Sequence, residues 1–256
     1  MIIACSMVKD ESDVIATVLR HLIAEGVDHL IVADNLSTDG TREILDGLQR
    51  ELPLTVMVDS VVAYEQARKM SRLAAQAHEL GAEWVLPFDA DEVWYGLHGT
   101  IAESLAQVPE DVSIVRAGGW DHIVRNSVDA HGYPGFSGPF SGWRRAQMQQ
   151  LAKVAFRAHP DPQLHMGNHD VNLPTETDIR GVLEFRHFQY RSLEQMTRKL
   201  RNGRAAYEAS DIHPMHGTHW RSGGLKSDEE LAQDWAALCA EDGLVFDPAP
   251  IRVTVG

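Results

Sequence analysis

Cysteine is scarce. The chain has only Cys5 and Cys239 in 256 residues, too few for a disulfide framework, and the simple reading is a reducing compartment. Long apolar runs are missing too, since none approaches the roughly 20 residues that cross a bilayer. The opening Met1-Ile2-Ile3-Ala4-Cys5-Ser6 is too short for the core of a signal peptide and is followed by charge, so it reads as a first strand. These absences predict a cytoplasmic protein without a transmembrane segment, resting at most against the inner face of a membrane. Positive charge is in deficit: 23 Lys and Arg face 37 Asp and Glu, for a net charge of -14. That balance argues against a nucleic-acid partner. It leaves small anions open, because a metal ion or a local basic cluster reverses the sign inside a site. The sequence shows no internal repeat, low-complexity tract or clear interdomain linker.

What remains is ordinary globular material, with 44% hydrophobic and 23% charged residues. Its length suits one large domain, or one domain with a subdomain. Ile2 to Met7 reads as a strand. Val14, Ile15, Val18, Leu19 and Leu22 then recur at helical spacing until Gly26. His29 to Ala33 is a second strand, closed by the polar turn Asp34 to Thr41. A helix through Ile44 and Leu48 follows, then a strand over Leu54 to Val58, a helix from Glu65 to Leu80 and a strand from Trp84 to Phe88. Alternating strands and helices on short connections predict an α/β sheet with right-handed crossovers. In such sheets ligands bind at the edge where the strands end, and Asp10, Asp34 and Asp89 all reach that edge.

Farther along, Ile101 to Val108 predicts a short helix, Val112 to Ala117 a strand, and Gly132 to Gly142 a shaped loop of the kind that covers a site. Leu151 to Arg157 and Val182 to Phe188 alternate as strands. Ser192 caps a basic helix running to Tyr207, and Ser227 to Glu241 is an acidic amphipathic helix.

The chain is organised around Trp84-Val85-Leu86-Pro87-Phe88-Asp89-Ala90-Asp91-Glu92-Val93-Trp94, an apolar strand ending in three carboxylates. If the backbone stays extended there, Asp89 and Asp91 emerge on one side and together can hold a divalent cation. Oxygen ligands suit Mg²⁺ or Mn²⁺, and such an ion can hold the diphosphate of a nucleotide. Glu92 is a third ligand or the cap of the next turn.

With these features in place the chain resembles a family-two glycosyltransferase of the GT-A fold. The segment Val32-Ala33-Asp34-Asn35-Leu36-Ser37-Thr38-Asp39-Gly40-Thr41 is similar to that family's turn after the second strand, and Asp89-Ala90-Asp91 to its DxD motif. Arg186-His187-Phe188-Gln189-Tyr190-Arg191-Ser192, with Arg198-Lys199 beyond, is similar to the C-terminal segment of a bacterial branch. The resemblance implies a GT-A, Rossmann-like mixed sheet flanked by helices, with a C-terminal acceptor-side region. It implies one domain over residues 1–256: a nucleotide-binding half over 1–95, an acceptor-side half over 96–200 and a helical extension over 201–256. The activity implied is metal-dependent transfer of a sugar, with inversion, from a nucleoside-diphosphate sugar to a hydroxyl-bearing acceptor, a UDP-sugar being the first expectation. A homo-oligomer is left open.

The same resemblance assigns roles. Asp91, Asp89 and His187 would hold Mn²⁺ or Mg²⁺, Asp34 the nucleobase, and Arg68 would face the nucleotide-sugar pocket. Asp34 is equally the cap of its own turn. Arg191 and Arg198 are further nucleotide contacts, because a basic cluster beside His187 in an acidic protein suits a diphosphate, and Asp10, just past the first strand, is another candidate contact or a simple helix N-terminal charge. Asp170, His169 and Asp121 are the candidate catalytic bases. Trp120, Tyr133 and Trp143 are candidates for an aromatic platform under a sugar ring. Two other readings stand beside this one. A nucleotidyltransferase acting on sugar phosphates would show a glycine-rich loop after its first strand, whereas Met7-Val8-Lys9-Asp10-Glu11-Ser12 has none. A non-catalytic nucleotide-sugar-binding protein could keep the fold without the ion.

Overall fold

The computed structural model describes residues 1–124, 140–213 and 215–253. The chain opens with β1 (Ile2–Val8), α1 (Ile15–Ala24), β2 (His29–Asp34), α2 (Thr41–Leu48), β3 (Leu54–Val58), α3 (Gln66–Glu79) and β4 (Trp84–Pro87). The apolar period sets these elements. Ile15, Val18, Leu19 and Leu22 form the buried stripe of α1, and Met70, Leu73, Ala74 and Ala77 that of α3. Gly26 breaks the chain after α1 at φ +89, where a Cβ would stand 2.5 Å from the Ala102 Cβ.

The strand after β4 comes sooner than the periodicity suggests: β5 (Glu92–Gly96) precedes α4 (Ile101–Leu105) and β6 (Ile114–Asp121). Short β7 (Trp143–Arg144), β8 (Lys153–Arg157) and β9 (Gln163–Leu164) follow. Then come a 3-10 turn (Met166–Asn168), β10 (Val171–Asn172) and a long β11 (Asp178–His187). The last starts four residues before the predicted strand: Asp178, Ile179 and Arg180 pair with Ile114, Val115 and Arg116, and a register shift before Glu184 interrupts the alternation. Ser192 does cap a helix, α5 (Leu193–Glu208), its side chain accepting from the Gln195 N–H. The end of the chain holds α6 (Thr218–Gly223), α7 (Asp228–Cys239) and β12 (Val245–Phe246), the last paired with β7. The predicted loop from Gly132 lies outside the described residues as far as position 139.

Eight strands form a sheet in the order β3-β2-β1-β4-β8-β6-β11-β5. The first four are parallel, while β8 and β5 run against their neighbours, so the sheet is mixed. Alternation divides the core. Ile2, Ala4, Leu30, Val32 and Leu86 face α1, α2 and α4; Ile3, Cys5, Ile31 and Val85 face α3. Burial pushes the Cys5 thiol up to about 12, which keeps it protonated and inert at neutral pH. A separate small cluster of Met196, Leu200 and Leu231 joins α5 to α7, with Trp220 of α6 against it. This is the predicted α/β architecture, a Rossmann-like mixed sheet of GT-A type flanked by helices. Among the described residues no helix is long and apolar enough to cross a membrane.

Candidate functional site

From β1 the sheet extends to β2 and β3 on one side and to β4 on the other, so the crossovers diverge and leave a crevice beyond the carboxyl ends of the strands. A cavity of about 470 Å³ opens there. Its floor is the chain leaving β1 and β4: Asp10, Glu11, Asp89 and Asp91. Arg198, Lys199 and Asn202 of α5 cover it, while Lys153, His169 and His187 close the far side.

The floor is held by local hydrogen bonds. Asp10 sits at φ +56, its Oδ1 accepting from the Thr38 N–H at 2.7 Å and its Oδ2 from Asn202 Nδ2 at 2.6 Å. The Glu11 N–H donates to Thr41 Oγ1 at 2.8 Å. At Asp89 the backbone departs from the extended run predicted for it. The Glu92 N–H donates to the Asp89 carbonyl at 3.0 Å, and Glu92 Oε2 accepts from the Asp89 N–H at 3.1 Å, turning the chain into β5. Glu92 is therefore the cap of this turn. Asp89 and Asp91 still both reach the cavity, but with different partners.

Asp91 is ion-paired to Lys199 Nζ and lies 3.6 Å from His187 Nε2 and 4.0 Å from Arg191 Nη1. Burial opposes its charge, yet Lys199 and then His187 outweigh that cost and hold the carboxyl well below the usual range. Asp89 accepts from Lys153 Nζ at 2.5 Å and from Asn168 Nδ2 at 3.2 Å. The same Nζ lies 2.9 Å from buried Glu92. For Lys153 and Lys199 alike, burial works against the charge and the facing carboxylates, Asp89 with Glu92 and Asp91 with Glu11, more than restore it. His187 Nδ1 donates to Asp121 Oδ1 at 3.0 Å. Burial lowers the affinity of its ring for a proton, but Asp91 and the Asp121 hydrogen bond raise the pKa to about 10, so the imidazole is a cation at neutral pH.

The divalent ion implied at Asp91, Asp89 and His187 does not fit this arrangement. Each carboxylate already faces an ammonium group, Asp91 that of Lys199 and Asp89 that of Lys153, and His187 is taken up between Asp91 and Asp121. Among the described residues, no group of three or more His, Cys, Asp or Glu side chains is placed to hold an ion.

The other candidates separate into those that line the cavity and those that do not. Arg198 lines it, with Nη2 3.3 Å from the Asp10 carbonyl and from Asp39 Oδ2. Arg191 is buried beneath it, bonded to Glu11 at 2.5 Å and to Asp13 at 2.7 and 2.8 Å. Asp34 turns back to its own loop, Oδ1 accepting from the Ser37 N–H at 3.3 Å; its neighbour Asn35 is the residue on the cavity wall. Arg68 is half exposed and paired with Glu65 one turn away. Asp170 pairs with Arg116 at 3.1 Å on the far side of the 3-10 turn, and Asp121 stands behind His187, so neither is on the cavity wall. His169 is. Its Nδ1 lies 2.9 Å from the Ala152 carbonyl, and burial lowers its pKa. Trp120 packs under Arg144 and donates to Glu184, and Trp143 meets Phe246 edge-on, so neither forms a platform in the cavity. Tyr133 lies outside the described residues.

Several cavity residues carried no assignment from the sequence: Lys153, Asn202, Gln149, Tyr64 and Trp220. Lys153 did leave a signal, because in its strand it is in phase with buried Ala155, where an unpaired lysine is costly. Trp220 and Tyr64 left none, since only the packing of α6 and α5 brings them to the wall.

No family model and no curated protein matches this chain. Among solved structures, S. aureus TarS 1-349 in complex with UDP-GlcNAc is 15% identical, over 93% of this chain and 82% of that one, with a TM-score of 0.46. The likeness is distant. HddC from Yersinia pseudotuberculosis is 9% identical over 72% of this chain and 92% of its own, at 0.40. A 4-diphosphocytidyl-2C-methyl-D-erythritol synthase is 16% identical over 61% and 75%, at 0.35. The chemistry of the site stands on this chain's own side chains.

Proposed function

We propose that the protein is a glycosyltransferase that binds a nucleoside-diphosphate sugar in the cavity and passes the sugar to an acceptor hydroxyl. The observation that carries this reading is the cavity itself: a crevice where the parallel strands diverge, with a carboxylate floor facing Arg198 and Lys199. Its volume is that of a small-molecule site. The basic roof receives the phosphates. Met7, Lys9, Asn35 and Val62 line the end nearest β2 and β3, where the nucleoside would lie, and His187, His169, Gln149 and Lys153 line the other, where the sugar would lie.

In the reaction, the acceptor oxygen forms a bond to the anomeric carbon as the bond from that carbon to the phosphate oxygen breaks. The bonding pair leaves on the nucleoside diphosphate, and a single displacement inverts the centre. The hydroxyl proton passes to His169. With its Nδ1–H donated to the Ala152 carbonyl, the ring keeps a lone pair on Nε2, and its lowered pKa keeps it neutral. Arg198 and Lys199 stabilise the departing phosphate charge.

The test is a screen of nucleoside-diphosphate sugars for release of nucleoside diphosphate, with and without Mn²⁺ and with mixed acceptors. Release from at least one donor is expected, falling on the order of 10²-fold in His169→Ala. Failure of every donor to bind or turn over would overturn the reading.

A further inference from the structure

Resting on that reading, we propose that Lys199, together with Arg198, holds the donor's diphosphate in place of a divalent ion, so that nucleotide binding needs no metal. The first observation is occupancy. Asp91, the carboxylate best placed to take an ion, is buried and ion-paired to Lys199 Nζ, with Arg191 Nη1 at 4.0 Å and His187 Nε2 at 3.6 Å. Asp89 and Glu92 share Lys153, at 2.5 and 2.9 Å. An ion here would have to displace an ammonium group from one carboxylate and then sit beside the remaining cations.

The second observation is anchoring. These cations are not surface side chains that happen to reach inward. Lys153 is 5% exposed on β8, a strand interior to the sheet, and Arg191 is 5% exposed, clasped by Glu11 and Asp13. Lys199 rises from a capped sixteen-residue helix whose apolar face is packed on α6 and α7. The positive charge at the site is part of the fold.

The third observation is donor arithmetic. An ammonium group has three N–H donors. Lys199 Nζ meets two carboxylates, Asp91 and, at 3.3 Å, Glu11, which leaves a third donor on a side chain that lines the cavity. Arg198, the preceding residue, also lines it and uses only Nη2 for the contacts it makes to Asp10 and Asp39. Two adjacent helix residues thus offer N–H groups to neighbouring phosphates while the acidic floor keeps Lys199 charged and in place.

The experiment is calorimetric titration of the 256-residue chain with nucleoside diphosphates and the matching monophosphates, in EDTA and in Mn²⁺. For the wild type the diphosphate affinity is expected to agree within about twofold in the two buffers, and in Lys199→Met to fall by about tenfold or more, as loss of a charged hydrogen bond implies. The monophosphate should lose less, roughly threefold at most, because it lacks the second phosphate. Lys199→Arg keeps a cation on Asp91 and is expected to stay within about fivefold of wild type, so a folding defect in the methionine variant does not decide the matter. Mn²⁺ tightening wild-type binding by about tenfold or more, or Lys199→Met binding the diphosphate normally, overturns the proposal while leaving the transferase reading intact. Absence of binding to any nucleoside diphosphate in either buffer overturns both.

Discussion

The floor of the cavity, at the ends of β1 and β4, carries Asp10, Glu11, Asp89 and Asp91, whereas the roof on α5 carries Arg198, Lys199 and Asn202. They are held by different forces. Beneath the floor lie the two large apolar clusters of the sheet, so the carboxylates are positioned by strand register and by backbone hydrogen bonds such as Thr38 N–H to Asp10. The roof packs on a small cluster of Met196, Leu200 and Leu231 and is joined to the floor by ion pairs. Burial sets the floor, and charge draws the roof onto it. That difference places the cavity's cations Arg198 and Lys199 on the less deeply packed of the two elements.

Several measurements can break or sharpen this contrast. The largest effect should come from Arg191→Ala, which removes the buried guanidinium at the start of α5 and leaves Glu11 and Asp91 short of a partner. A loss of about 3–5 kcal/mol in denaturant unfolding is expected. An unchanged midpoint would show that roof and floor are not coupled through this residue. Lys153→Met should cost somewhat less, about 3 kcal/mol, since Asp89 keeps Asn168 while buried Glu92 loses its cation. Adding Glu92→Gln should return part of that loss; strictly additive losses would deny the pairing.

Two histidines give the contrast a pH signature. His187 has a folded pKa of about 10 against an ordinary 6.5, so its stabilisation is complete below about pH 6.5 and is lost as pH rises toward 10. His122, buried at the end of β6, is pushed down to about 4 by burial. Its neutral form belongs to the folded state, and stability is lost as pH falls from 6.5 toward 4. Unfolding midpoints across pH 4 to 10 should fall on both flanks, and His187→Gln should flatten the alkaline one alone. An alkaline slope that survives His187→Gln would assign it to another group. Smaller again is Ser192→Ala, which removes the cap of α5 and should cost about 1 kcal/mol. Arg68→Ala serves as the floor of the scale: its exposed pair with Glu65 predicts a change below about 0.5 kcal/mol and unaltered nucleotide affinity.

Much of the fold was legible because local pattern carried it. The helical spacing of Val14 to Leu22 and the short apolar runs of the first four strands, bounded by polar turns, carry their own period, and Ser192 announces α5 by its capping chemistry. Strand β5 was not, because Glu92-Val93-Trp94 directly follows the acidic cluster and only the turn at Asp89 shows that a new strand has begun. In the site, Asp10, Asp89, Asp91, His187, His169 and Arg198 were named from sequence and all line the cavity. Asp34, Arg68, Asp121, Asp170 and Arg191 were named for sound chemical reasons, yet the structure spends their side chains on turns and ion pairs behind the wall.

By itself the sequence determined which groups carry charge, which stripes are apolar, and hence the α/β alternation that brings the acidic loops to one edge. Tertiary structure alone decided who faces whom. Asp91 meets a lysine 108 positions away and Asp89 one 64 positions away, separations over which no periodicity or motif constrains a partner. Carboxylates that chemistry would give to a metal ion are instead matched with ammonium groups, because the packing of α5 and β8 brings those groups within bonding distance.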